Sequence, residues 1–171
     1  MSRSYASVSF NAAILAFAAL QSAASIQAQS AGTGVIVGPG YAGADATADG
    51  RWTHANTRTQ VGPGRSLGQG LAVAAGPNGL SLSHSIGVDN HGVGLGHNMN
   101  LSIGRGGAHI SHGAVQSIGG STEVNVGGSA TQGGWQPGLG WQPVGGGSTV
   151  GGVGNHVQTH TGARTFRFRR W

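Results

Sequence analysis

The chain of 171 residues contains no cysteine and no lysine, and only 8% of its residues are charged. Without cysteine there is neither a disulfide scaffold nor a thiolate-ligated metal site. Sparse charge, with no helical apolar period beyond residue 28, excludes a coiled coil and a helical enzyme built round a large core. Acids are scarce too: Asp45, Asp49, Asp89 and Glu123 are the complete set. No acid pair, nucleophile–base set or cofactor loop stands in the structural context its chemistry needs, so an enzyme is not expected. Long apolar runs are also missing. The longest, Ala12 to Leu20, falls well short of the about 20 residues a spanning helix requires.

What is abundant is glycine. The 35 Gly and 5 Pro all lie after residue 28, where they make up more than a quarter of the chain, a share usually associated with low complexity or disorder. Residues 1–28 have a different character: Arg3, then the apolar stretch Ala12–Leu20, then small residues leading to Ile26-Gln27-Ala28. That is the layout of a secretory signal peptide, with cleavage expected after Ala28 or alternatively Ala24. The mature chain is therefore expected to be secreted or extracytoplasmic, in the periplasm, at the cell surface or in an extracellular matrix. It carries no further segment long enough for a transmembrane helix. The formal charge of +5 falls to +4 once Arg3 is removed.

From Leu71 to Val126 apolar residues alternate with Ser, Gly and Asn, the period-two signature of half-buried strands. Strands are predicted at about 71–75, 80–88, 93–103, 108–115 and 122–126, with separators rich in Gly, Pro, Asn and Asp. Pairing outward from Gly76 opposite Gly79 sets Val73 against Leu82 and Leu71 against His84. Pairing from Gly104 opposite Gly107 sets Leu101 against Ile110 and Met99 against His112. Pairing from Asp89 opposite Gly92 sets Ile86 against Leu95 and His84 against His97. All three turns put the apolar residues on one face, and a one-residue slip would destroy that agreement. Only the last strand fits poorly, since Ala114-Val115 needs a bulge before Val124 and Val126 join the same face.

The opposite face carries Ser81, Ser83, Ser85, Gly87, Gly94, Gly96, Asn98, Asn100, Ser102, His109 and Ser111. So small and polar a surface suits water or close stacking on a copy of itself. A single layer of this composition buries too little to repay its ordering entropy, so the apolar face is expected to be covered by the flanks, a second subunit or a surface. The expected fold is thus all-β: one antiparallel meander of about five strands over residues 71–126, between low-complexity, partly disordered flanks at 29–70 and 127–163. A basic aromatic tail, 164–171, follows.

The flanks are patterned. Val37-Gly38-Pro39-Gly40 recurs as Val61-Gly62-Pro63-Gly64, and Pro-Gly suits a type II turn. Gly134-Trp135-Gln136-Pro137 recurs as Gly140-Trp141-Gln142-Pro143. In these turns alone the chain resembles glycine-rich extracellular structural proteins of the silk-like and elastin-like kind. Trp135 and Trp141 are expected to lie over the apolar sheet face, and residues 145–163 read as a flexible linker.

Candidate chemistry is limited. His84, His97 and His112 converge in the registers above and form a candidate site for Zn²⁺ or Cu²⁺. No carboxylate is placed to orient their rings, which favours plain half-buried histidines. Gly38 to Gly43 matches G-x-G-x-x-G, and Gly64 to Gly68 matches G-x-S-x-G, yet both motifs need a following helix. Asp45 to Gly50 has half of a calcium loop, with Asn56 where the last acid belongs. The tail, Arg164, Phe166, Arg167, Phe168, Arg169, Arg170 and Trp171, alternates cations with aromatics and is a candidate for binding an anionic polysaccharide or lipid surface rather than nucleic acid. Asn100-Leu101-Ser102 is a glycosylation acceptor only in a eukaryote. The expected function is structural or adhesive, with self-association through the sheet; the alternative is a metal- or anion-binding module using the His-bearing face.

Overall fold

A computed structural model of the protein describes residues 29–133, 135–136, 140–141 and 143–168. Within it the chain is all-β, and its strands are β1 (Ser30–Gly38), β2 (Tyr41–Asp49), β3 (Trp52–Gly62), β4 (Arg65–Gly76), β5 (Gly79–Asn90), β6 (Val93–Gly104), β7 (Gly107–Ile118), β8 (Glu123–Thr131), β9 (Trp135–Gln136), β10 (Gly140–Trp141), β11 (Gly145–Val153) and β12 (His156–Arg167). The short β9 and β10 pair only with each other. The other ten form two antiparallel sheets, a six-stranded one in the order β12-β7-β6-β5-β4-β3 and a four-stranded one in the order β11-β8-β1-β2. The sheets pack face to face, with β2 against β3 at one corner and β11 against β12 at the other.

The expected single meander is therefore too small a description. Its first four strands are present as β4 to β7, three of them lengthened at both ends and β6 by one residue at its C-terminal end. The flanks that read as low-complexity supply β1, β2, β3, β11 and β12. The Pro-Gly repeats are the hairpin turns of those flanks. Gly38 pairs with Tyr41 and Gly62 with Arg65, and Gly40 and Gly64 take φ of 79° and 68°, as the second turn residue of a type II turn requires. The segment 122–126 does not extend the meander. β8 leaves that sheet and pairs with β1 and β11 instead. The parity mismatch at Ala114-Val115 marks this change of sheet: Val115 points inward with Val124 and Val126 while Ala114 points out.

Two of the three predicted registers hold, with Leu71 opposite His84 and Met99 opposite His112. The third moves by two residues. The β5–β6 turn is His91-Gly92, closed by Asn90 opposite Val93. Both central residues have positive φ, 50° and 82°, the primed geometry that matches strand twist. His91 Nδ1 lies 2.9 Å from Asn90 Oδ1. A shift of two keeps every side chain on its face and changes only its partner.

The sandwich buries the small polar face and turns the aliphatic one outward. Ser81, Ser83, Ser85, Asn98, Asn100 and Ser111 are almost wholly buried, because the flanks fold over this side and not over the apolar side as expected. Two devices make such an interior stable. Valines of the four-stranded sheet enter the gaps over glycines of the six-stranded one: a methyl built on Gly96 would lie 2.5 Å from Val126 Cγ1, one on Gly68 2.7 Å from Val35 Cγ1, and one on Gly94 2.8 Å from Val124 Cγ1. Amides and hydroxyls then cross between the sheets. Asn98 Nδ2 donates to the Gly127 and Thr149 carbonyls at 2.7 and 3.0 Å, Asn100 Nδ2 donates to the Gly147 carbonyl at 3.0 Å, and Thr33 Oγ1 lies 2.8 and 2.7 Å from Ser83 Oγ and Ser85 Oγ. Strand carbonyls have a second lone pair to accept such bonds, so these buried donors are satisfied across the sheets, although Asn98 Oδ1, Ser66 Oγ and His109 Nε2 are buried with no partner.

Candidate functional site

The unusual surface is the outward face of the six-stranded sheet. One row across it runs Gly162, His112, Met99, His84, Leu71, Asn56, and the next runs His160, Ala114, His97, Ile86, Gln69, Arg58. The lower rows are aliphatic, with Leu82, Leu101 and Ile110 aligned, then Leu80 and Ile103. Leu95 is 50% exposed, and Val93, Met99 and Ile103 are each 38% exposed.

His84, His97 and His112 all lie on this face, but not as the sequence placed them. His84 stands opposite Met99, and His97 opposite Ile86, so His84 and His97 are diagonal neighbours; the displaced β5–β6 turn is the reason. His112 pairs across Met99 and has a different ring beside it, His160, at 5.5 Å between centroids and 39° between planes. Among the described residues no group of three His, Cys, Asp or Glu is placed to hold one metal ion. The His84 imidazole is held below its ordinary pKa, first by burial and then by the positive charge that His97 can carry. Its Nε2 lies 3.2 Å from Gln69 Nε2. His97 and His160 flank Ala114, and the missing bulk there leaves an open depression of about 450 Å³ that Ile86, Leu95 and Gln116 help to line.

Charge is segregated between the sheets. Asp45 and Asp49 of β2 and Glu123 of β8 point outward from the four-stranded sheet. Glu123 Oε2 accepts from the Tyr41 hydroxyl at 2.6 Å, and burial, this bond and the nearby acids raise the pKa of that phenol. Burial also raises that of Asp45, whose side chain lies over Gly34. Asp89 is inside the sandwich and accepts from Thr122. The outward face of the six-stranded sheet thus has none of the four acids, while Arg58, Arg65 and Arg164 all lie on it.

The basic tail is in part a strand. Arg164 pairs with Ile110 and Phe166 with Ala108, on the outward face, and Arg167 pairs with Gly107. Phe168 is exposed. Arg169, Arg170 and Trp171 lie outside the described residues, as do residues 1–28, read above as a signal peptide, and the side chains of Trp135 and Trp141. Arg167, with Arg105, His109, Thr165 and Gly145-Gly146, lines an open cleft of about 1020 Å³ at one end of the sandwich.

The remaining motifs resolve into structure. Gly38–Gly43 and Gly64–Gly68 are hairpin turns entering strands, with no helix, and Ser66 is buried. Asp45 and Asp49 lie on an extended strand, too far apart to close a calcium loop. Asn100 is fully buried, so the folded chain offers no glycosylation acceptor there. Sequence reasoning missed Arg58, His54, His156 and His160 on the outward face. The period-two pattern that would have found them continues through Trp52–Gly62 and His156–Arg167, but in polar residues. No family model matches this chain, no curated protein matches it, and no solved structure matches its fold.

Proposed function

We propose that this is an exported structural or adhesive protein of the cell envelope or extracellular matrix that works by contact, through the outward face of its six-stranded sheet. The observation that carries this is the inverted six-stranded sheet, which turns Ser, Asn and Gly inward against the valines of the second sheet and Leu, Ile and Met outward. At strand spacings of about 4.8 Å and rises of about 3.4 Å, the four middle strands that carry the aliphatic side chains span roughly 500 Å², the size of the largest apolar patch on a typical monomer, which is often functional. The polar face, suited to stacking copies, is occupied by the chain's own second sheet, which leaves the aliphatic face as the surface for association. The test is fractionation of the cells that export the protein. It is expected in the insoluble envelope or matrix fraction, and Leu95→Asp/Met99→Asp, which changes only exposed positions, is expected in the soluble fraction with an unaltered circular dichroism spectrum. An unchanged distribution overturns the proposal.

A second reading, anion binding, draws support from the cleft lined by Arg105, His109 and Arg167. Metal binding has less support, since the two histidine pairs on the sheet are separate.

A further inference from the structure

We infer that the outward face of the six-stranded sheet docks flat on an anionic lipid bilayer, its aliphatic rows at the headgroup boundary and its arginines on the lipid phosphates. This names the partner of the contact surface proposed above and rests on that reading. Three features of the molecule converge on it.

The first is the distribution of side chains within the face. Aliphatic residues fill the middle strands, whereas Arg58 and Arg164 stand on the two edge strands β3 and β12 and Arg65 at one end of β4. Trp52 and Phe166 end the same row at opposite edges, exposed by 59% and 52%. The Arg51 guanidinium lies 4.8 Å over the Trp52 ring. An apolar centre with aromatics and arginines at its margin is the layout that lies in a bilayer interface, where the rings sit at headgroup level and the cations meet anionic lipid.

The second is complementarity over the whole molecule. With Asp45, Asp49 and Glu123 on the far sheet and Asp89 inside, one side of the sandwich is cationic and the other acidic, so the field of the protein orients it with this face toward a negative surface. A second copy of the chain fits worse. Two such faces brought together would set arginines against arginines with no acid among them, and like charges in apposition act against pairing. An acidic polysaccharide would meet aliphatic side chains where it needs polar donors.

The third is histidine. His54 on β3, His84 on β5, His97 on β6, His112 on β7, and His156 and His160 on β12 share the face, six of the eight in the chain. The charged groups among them are Arg58 on β3, Arg65 on β4 and Arg164 on β12, all positive. Every proton taken up as pH falls therefore adds to attraction for an anionic surface and none is offset by a neighbouring acid.

The experiment is flotation of the purified protein with large unilamellar vesicles of phosphatidylcholine, with and without about 30% phosphatidylglycerol. Binding is expected to the anionic vesicles, at least about tenfold tighter than to phosphatidylcholine alone, tighter at about pH 5.5 than at pH 7.5, and weakened by salt. Arg58→Glu/Arg164→Glu and Leu95→Asp/Met99→Asp, each verified as folded by an unchanged urea midpoint, are each expected to lower binding at least about tenfold, the first through charge and the second through apolar contact. Failure to bind anionic vesicles, or binding indifferent to either variant, overturns the inference. So does a concentration-dependent oligomer in sedimentation velocity that Leu95→Asp/Met99→Asp abolishes while vesicles are ignored, which assigns the face to a second copy. Retention on heparin without vesicle binding likewise assigns it to a polysaccharide. In either of those cases envelope retention of the wild type persists and the contact reading survives; if retention is also indifferent to Leu95→Asp/Met99→Asp, both fall.

Discussion

Gly96→Ala measures the packing on which the sandwich depends. The added methyl would lie 2.5 Å from Val126 Cγ1 and 2.9 Å from Val115 Cγ1, where carbon atoms rest at about 3.5–4.0 Å. Both valines are buried and stiff at χ1, so relief has to come from separating the sheets locally. Overpacking of this kind costs about 1–3 kcal/mol, against a gain of roughly 0.5–1 kcal/mol from replacing a strand glycine. The net expectation is a loss of about 1–2 kcal/mol. Gly151→Ala is the control, because a methyl there meets nothing within 4 Å; it is expected to be neutral or stabilising by up to about 1 kcal/mol. Val126→Ala alone removes two carbons, about 1.6 kcal/mol of transfer energy before any cavity term. In the double variant the new methyl occupies that space, so the two losses should fall short of additivity by about 1 kcal/mol or more. Urea unfolding followed by circular dichroism reads all four proteins. If Gly96→Ala is as stable as Gly151→Ala, or the double variant is strictly additive, the sheets are not held by valines seated over glycines.

The cross-sheet amides make a sharper electrostatic prediction. Asn98→Asp is isosteric but replaces a group donating to two carbonyls with an acceptor, and an uncompensated buried charge costs roughly 3–5 kcal/mol. The native state would keep the acid protonated above its unfolded pKa of about 3.9, so the penalty grows as pH rises from about 4 to 7; urea midpoints of equal depression at both pH values would refute this. Asp45 works in the same direction on a smaller scale. Burial raises its pKa in the folded state, so its native form binds more protons than the unfolded form, and the wild type loses stability as pH rises from about 4 through the folded value. Asp45→Asn should match the wild type near pH 3 and exceed it at pH 7, and thermal melts at the two pH values check the crossover.

The meander was legible because Leu71 to Ile110 obeys two independent rules at once, alternation along each strand and turn chemistry between them. Its orientation was not, because the usual assignment of apolar residues to the interior presumes a core built from bulk. Here the interior is built from close approach. Glycine opposite valine fills space, and asparagine donates its amide hydrogens to carbonyls of the facing sheet in place of water. The strands of the flanks were hidden for a related reason. β2 alternates Ala42, Ala44, Ala46 and Ala48 with polar residues, a strand period written in methyl groups that carries little hydrophobic contrast. The histidine geometry failed by one turn residue: His91 at positive φ displaced the hairpin by two, which preserved the face and separated the pair.

The connectivity also dictates an order of assembly. Val37 of β1 pairs with Val124 on β8, with the whole meander between them in the chain, and β12 pairs with β7 with β8 and β11 between them in the chain. The local hairpins of the six-stranded sheet can close within about 1–10 μs, but the second layer requires encounters across long loops and is correspondingly slow. A six-stranded layer not yet covered would be greasy on one side and open on the other to any valine strand that fits its glycine gaps, the chain's own or a neighbour's. Dilution or chaperoning during maturation should therefore govern yield far more than the stability of the finished protein does.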